Sequence, residues 1–189
     1  PHHSFSSQHG RTYHDGMHAP GEAAGYWYRW FPRNRDFVEA NELSAATQQE
    51  LRQSIFQISQ YFQKPVVFKN LNNGQRLRAL QQVFPKARII FITRNPLHNA
   101  RSILKARKKD GILAHHWWSV RPKNFEELLC KEEAEMVKSQ IYLIEKEILE
   151  SLLLFPKNQV LTIEYEHFCQ HPQKLLKQVK HDLLQNKIS

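Results

Sequence analysis

Arg94 is the residue best placed to do chemistry, because it lies where an apolar run meets a helical pattern. Residues 88–96 read Arg-Ile-Ile-Phe-Ile-Thr-Arg-Asn-Pro, and a basic segment that carries Ser102 follows. This pattern predicts a strand that ends on arginine, then a helix with proline at its first position. A helix start offers free backbone N–H groups and the positive end of the dipole, and a guanidinium is a planar fork suited to phosphate oxygens. We therefore interpret this junction as an anion site.

Acid–base chemistry has its nearest candidates in His14 and the adjacent Asp15, with Glu22 a little further on. A histidine oriented by a carboxylate can accept a proton near neutral pH. The same residues could equally form a polar loop in contact with solvent. A metal bound by His14 and His18 is disfavoured, because Gly16 breaks the helix that their spacing would need and the sequence offers no third ligand. We predict no metal site.

Alternating helical and extended patterns must position these residues. Apolar residues three and four apart from Leu51 to Phe62 predict a helix over residues 44–63, with Ser44 as its N-cap. Further helices are predicted over residues 74–84, 96–108, 131–155 and 173–184, and strands over residues 65–69, 88–93 and 159–164.

Short strands separated by helices predict an α/β fold, a parallel sheet with crossover helices on both faces. In such sheets ligands bind beyond the carboxyl ends of the strands. Lys69 and Arg94 each end a predicted strand, so we expect two cations at one edge. The length of 189 residues fits one domain, which we assign to residues 1–189.

The net charge of +9 favours anionic partners. Several of the cations, among them Arg101 and Lys105, lie on the helix that follows Arg94, and its distal run at residues 107–109 is interpreted as a solvated basic face. No apolar run approaches the length of a membrane span, so we expect no membrane span. Two cysteines cannot form a disulfide framework and suit a reducing compartment, so we expect a cytoplasmic location.

Four segments in order carry a resemblance to a known family. Residues 84–96 read Phe-Pro-Lys-Ala-Arg and then end in Phe-Ile-Thr-Arg-Asn-Pro, with Ser102 eight positions beyond Arg94. Residues 163–168 read Ile-Glu-Tyr-Glu-His-Phe, with His171-Pro172 beyond. Residues 25–32, Gly-Tyr-Trp-Tyr-Arg-Trp-Phe-Pro, and residues 117–122, Trp-Trp-Ser-Val-Arg-Pro, complete the set. From roughly residue 12 to residue 180 the chain resembles sulfotransferases, and the last two segments resemble a bacterial branch of them.

The resemblance implies a P-loop-like nucleotide-binding fold and an enzyme that uses 3′-phosphoadenosine 5′-phosphosulfate. It implies that Arg94 and Ser102 bind the 3′-phosphate of this donor and that Lys69 faces the donor, where it would neutralise developing charge. The sulfuryl group would pass to a hydroxyl or amine of a small-molecule, glycan or peptide acceptor. Taken alone, Ser102 would be an ordinary helix serine and Lys69 a surface lysine.

Two departures from the family pattern bear on catalysis. The family's glycine-rich loop for the 5′-phosphosulfate does not occur in this sequence, which also lacks an initiator Met, so we expect a fragment that begins after that loop. Cytosolic members have a histidine two residues after the strand-end lysine, where this chain has Leu71. The base therefore stays open, with His14 and Asp15 as the candidates.

Two other functions compete with a sulfotransferase. A non-catalytic nucleotide-binding or scaffolding relative is supported by the missing loop. A nucleic-acid binder is suggested only by charge, because the sequence has no recognition motif, and we expect no nucleic-acid partner. The oligomeric state and the identity of the acceptor are left open.

Overall fold

The described chain is built mainly from helices around one short parallel sheet. The computed structural model describes residues 22–185. The helices are α1 (Ala24–Trp27), α2 (Ala45–Phe62), α3 (Leu77–Val83), α4 (Pro96–Lys109), α5 (Glu133–Leu152), α6 (Tyr165–Gln170) and α7 (Pro172–Val179). The strands are β1 (Ile89–Thr93) and β2 (Val160–Glu164). Single 3-10 turns lie at Ala40–Glu42, Asn72–Arg76, Phe125–Leu128 and Lys157–Gln159, and a π-helical turn at Lys180–Gln185.

The two strands run parallel, with Ile89 opposite Val160 and Thr93 opposite Glu164. A parallel pair needs a long connection to return the chain to the same end of the sheet. Helices α4 and α5 lie in that connection. The predicted parallel sheet is therefore confirmed for these two strands.

One face of the sheet is covered by helices. Ile89 and Phe91 of β1 pack on a buried cluster that includes Leu77 of α3 and Leu152 of α5. The opposite face of β1 carries Ile90 and Ile92, which are 40% and 52% exposed. Within residues 22–185 the expected cover of both faces is thus only partly present on β1.

A second core joins the aromatic segment after α1 to helices α2 and α3. Trp27 and Phe31 pack with Leu51 of α2 and Leu80 of α3, and Phe68 packs against the same cluster. Most of the aromatic side chains of residues 26–31 therefore pack in or against this hydrophobic core. Tyr28 differs, because it also lines a cleft described below.

The predicted helix over residues 44–63 is confirmed as α2, and the Ser44 hydroxyl accepts a hydrogen bond from the backbone N–H of Thr47 at 3.1 Å. The predicted strand over residues 65–69 is wrong. This segment is not part of a β-ladder within the described chain, Pro65 has no N–H to donate, and the Val67 side chain is 77% exposed. Lys69 therefore does not end a strand.

Candidate functional site

The junction between β1 and α4 has a self-capped helix start. The side-chain Oδ1 of Asn95 accepts hydrogen bonds from the backbone N–H groups of Leu97 at 3.0 Å and His98 at 3.2 Å. Pro96 at the first helical position has no N–H. The free N–H groups expected here are therefore already used, and an anion at this junction depends on side chains and on the helix dipole.

Arg94 lies immediately beyond β1, beside the residue that follows β2. Because Thr93 pairs with Glu164, the next residues, Arg94 and Tyr165, are brought together beyond the carboxyl ends of both strands. The guanidinium carbon of Arg94 lies 4.9 Å from the centre of the Tyr165 ring. The Nε of Arg94 is closed to solvent and has no hydrogen-bond acceptor among residues 22–185. Because an atom closed to solvent is also closed to a ligand, an anion would have to meet the terminal nitrogens of this guanidinium.

Glu166, in α6, links this helix to the junction between β1 and α4. Its carboxylate accepts a hydrogen bond from the backbone N–H of Asn95 at 3.2 Å and lies 3.6 Å from Nδ1 of His98. The pKa of Glu166 lies below its usual range because the carboxylate accepts backbone N–H bonds, from its own residue and from Asn95, and lies close to His98. The carboxylate thus stays ionised and holds α6 against the start of α4.

Ser102 lies exposed on the second turn of α4. It is six residues beyond Pro96, which corresponds to about 9 Å along the helix axis. A ligand held by both Arg94 and Ser102 would have to lie along the first two turns of this helix. Its role in binding stays a prediction.

Lys69 lies in a different neighbourhood. Its ammonium group forms an ion pair with the carboxylate of Glu22, whose other oxygen accepts the backbone N–H of Leu71 at 3.4 Å. The expectation that Lys69 and Arg94 both follow strands of one sheet is wrong, because the segment of Lys69 is not paired as a strand. His14 and Asp15, the predicted base, lie outside the described residues.

A cleft of about 270 Å³ lies next to Glu22. The side of the cleft formed by residues 22–36 includes Tyr28, Arg33 and Asp36. The remaining lining residues are Leu71, Asn72, Ser119, Val120 and Arg121. Two segments that the sequence analysis singled out, residues 25–32 and 117–122, therefore meet at one cleft.

A buried ionic network supports this cleft. Asp36 is 4% exposed, and its Oδ1 lies 3.8 Å from the guanidinium of Arg76, which is 0% exposed. Asp36 also accepts hydrogen bonds from the amide of Asn72 and, at 2.8 Å, from the backbone N–H of Arg121. Burial lowers the pKa of Arg76, and the charge of Asp36 opposes that effect. One carboxylate thus joins three distant parts of the chain.

A model of the sulfotransferase family matches residues 4–183, which include both the anion junction and the cleft. The chain belongs to the sulfotransferase family. Comparison with curated proteins and comparison with solved structures each returned no match. The resemblance inferred from the four motifs is confirmed at the level of the family, and sulfuryl transfer is the reaction class that the family implies.

Some residues of the candidate site lie in quoted segments but have no role assigned from the sequence. Tyr165 and Glu166 belong to the quoted segment at residues 163–168, but only the strand register places them against Arg94 and Asn95. Asp36 had no signal at all, because a lone carboxylate in a loop sequence does not show that it will be buried. Its contacts become visible only when residues 72–76 and 121 are placed beside it.

The Trp117-Trp118 pair, part of the quoted segment at residues 117–122, is tied into the fold by its indole groups. The indole N–H of Trp117 donates to the carbonyls of Ser119 and Val120, both at 3.1 Å, and that of Trp118 donates to Asp110 at 2.9 Å. In the described part of the chain no cluster of histidine, cysteine, aspartate or glutamate could hold a metal ion. None of its helices has the length and apolar character of a membrane span.

Proposed function

We propose that this protein transfers a sulfuryl group from 3′-phosphoadenosine 5′-phosphosulfate to a hydroxyl or amine, with Arg94 and Ser102 holding the 3′-phosphate of the donor. Membership of the sulfotransferase family supports the reaction class. The single observation that carries the donor assignment is the position of Arg94, between the end of β1 and the start of α4 and against the ring of Tyr165.

The chemistry of the junction fits a phosphate better than a neutral ligand. Arginine is always charged and can make two parallel hydrogen bonds to phosphate oxygens. The start of α4 adds its positive dipole end, although its N–H groups are taken by Asn95. Arg101 and Lys105 on the same helix are exposed and add to the positive field.

In sulfuryl transfer, the bond between sulfur and the donor phosphate oxygen breaks as a bond forms between sulfur and the acceptor oxygen or nitrogen. The acceptor proton must pass to a base, for which His14 and Asp15 stay the predicted groups. Lys69 would neutralise charge that develops on the transferred group. Its ammonium is paired with the carboxylate of Glu22 at the edge of the cleft.

The test of the donor site is calorimetric titration of the 189-residue chain with adenosine 3′,5′-bisphosphate, with adenosine 5′-monophosphate as the comparator. We expect Arg94→Ala to weaken bisphosphate binding about tenfold or more, because a charge-assisted pair is lost, and to leave monophosphate binding unchanged. The matched control is Arg101→Ala, an exposed arginine on α4. We expect it to change both affinities less than about twofold.

Absence of bisphosphate binding, or equal binding by the parent and Arg94→Ala, would overturn the assignment. A separate assay with sulfate-labelled donor distinguishes an enzyme from the non-catalytic relative. The latter would bind the bisphosphate normally and transfer no label to any acceptor.

A further inference from the structure

The cleft lined by Glu22, Tyr28, Arg33 and Arg121 is built by segments that are far apart in the sequence. A guanidinium nitrogen of Arg121 donates to the backbone carbonyls of Asn34 at 3.0 Å and Arg33 at 3.5 Å. The backbone N–H of Arg121 donates to Asp36 at 2.8 Å. These bonds hold residues 33–36 against residue 121, so the opening between them has a fixed frame.

The charges around the cleft do not cancel. Of its two carboxylates, Asp36 is paired with Arg76, and Glu22 is paired with Lys69. The two remaining charged lining residues are Arg33 and Arg121. The guanidinium of Arg33 is exposed and lies 5.5 Å from the centre of the Tyr28 ring, whereas the Nε of Arg121 is closed to solvent. The cleft therefore has an excess of positive charge, and Arg33 is the lining guanidinium that is open to a ligand.

The other lining residues favour a small hydroxyl-bearing ligand. Asn72 and Ser119 offer hydrogen-bonding groups, whereas Leu71 and Val120 supply the aliphatic part of the lining. A flat apolar acceptor would cover the exposed guanidinium of Arg33 and the hydroxyl of Ser119 without giving them hydrogen-bond partners, which is costly. The volume of about 270 Å³ lies below the usual range for drug-sized ligands and suits a single ring.

From this combination we propose that the cleft binds the sulfuryl acceptor and that this acceptor is an acidic sugar. Its carboxylate or ester anion is bound by the exposed guanidinium of Arg33, with the charge of Arg121 adding to the attraction, and a ring hydroxyl lies towards Glu22, beside Lys69. The proposal rests on the proposed function, because it takes the protein to need a hydroxyl acceptor. It adds the charge of that acceptor and the residues that select it.

The experiment is titration of the full chain with glucuronate, glucose 6-phosphate and glucose, followed by calorimetry or by saturation-transfer NMR. We expect at least one of the acidic sugars to bind about fivefold or more tightly than glucose. We expect Arg33→Gln to abolish that preference without changing glucose binding, because an exposed charge pair contributes a few-fold in affinity. The matched control is Arg29→Gln, an exposed arginine close by in sequence that lies over Trp30 and does not line the cleft. It should retain the preference.

Preferential binding of glucuronate alone or of glucose 6-phosphate alone supports the proposal and shows whether the cleft selects a carboxylate or a phosphate ester. Equal binding of acidic and neutral sugars, no binding of any of the three, or the same loss in Arg29→Gln would overturn it. Adenosine 3′,5′-bisphosphate binding is measured on the same samples. Its loss reports failure of the donor assignment, and its retention with no sugar preference reports failure of the acceptor proposal alone.

Discussion

At the scale of single residues, Arg94 is held from one side. The ring of Tyr165 lies 4.9 Å from its guanidinium carbon, and Glu166 holds the backbone of the next residue, Asn95, at 3.2 Å. A flexible arginine would lose side-chain entropy when it binds an anion. Stacking on a ring removes part of that loss before the ligand arrives. Tyr165 is therefore a positioning residue for Arg94.

The stacking makes a prediction about Tyr165. We expect Tyr165→Phe to bind adenosine 3′,5′-bisphosphate within about twofold of the parent, because the ring is retained, and Tyr165→Leu to bind about three- to tenfold more weakly. Calorimetry on both variants measures the effect. Adding Arg94→Ala to Tyr165→Leu should cause no further loss beyond that of Arg94→Ala alone. Additive losses would contradict a shared role.

At the scale of elements, α5 carries a partly buried carboxylate, that of Glu145, in addition to its apolar stripe. Val137, Ile141 and Leu152 are buried as the helical spacing predicts. Glu145 lies partly buried on the same helix, and burial raises its pKa. Between its unfolded and folded pKa values the folded protein therefore binds the proton more tightly than the unfolded chain. The free energy of unfolding falls as the pH rises through that window and stays lower at neutral pH.

Replacement of this carboxylate should stabilise the protein. We expect Glu145→Gln to raise the Tm by about 1–2 °C at pH 7. The gain should disappear below about pH 4, where glutamate is protonated in the unfolded chain as well. Differential scanning calorimetry across this pH range measures it. The exposed Glu135 of the same helix is the control, since Glu135→Gln should give no comparable gain. A lower Tm for Glu145→Gln at pH 7 would contradict the expected sign.

Local sequence patterns predicted those elements whose formation depends mainly on residues within the element itself. Ser44 caps α2, Pro96 starts α4, and the stripe of α5 is buried. The predictions failed where the structure of a segment depends on a partner that is distant in the sequence. The segment at residues 65–69 has strand-like residues but no neighbouring strand in the described chain. Arg107, assigned to a solvated face, is 1% exposed and donates to Glu133 at 2.7 Å.

At the scale of the whole molecule, Asp36 connects regions that are far apart in sequence. Its contacts reach residue 72, residue 76 and residue 121, and Asp36 itself lines the cleft together with Asn72 and Arg121. No local pattern marks such a residue, so this half of the candidate site could not be predicted. The anion junction could be, because strand, arginine and proline are contiguous. The donor, the acceptor, the single domain over residues 1–189 and the cytoplasmic location stay predictions.

Loss of Asp36 should destabilise the protein strongly. Asp36→Ala leaves the buried Arg76 without its counter-charge, and we expect a cost of about 3–5 kcal/mol in the free energy of unfolding, measured by urea titration. The double variant Asp36→Ala with Arg76→Met removes the unpaired charge and should recover part of the loss. A double variant less stable than Asp36→Ala alone would show that Arg76 stabilises the fold by other contacts.

The register of the sheet has a consequence for how the protein folds. Arg94 meets Tyr165 only because β1 and β2 pair across a connection that contains α4 and α5, and the bond between Asn95 and Glu166 spans 71 residues. Contacts of such long sequence separation form slowly, because loop closure must precede them. The helices can therefore be present before the two strands meet. An intermediate with native-like helical content would lack the paired arrangement around Arg94, so the capacity to bind an anion there arises late in folding.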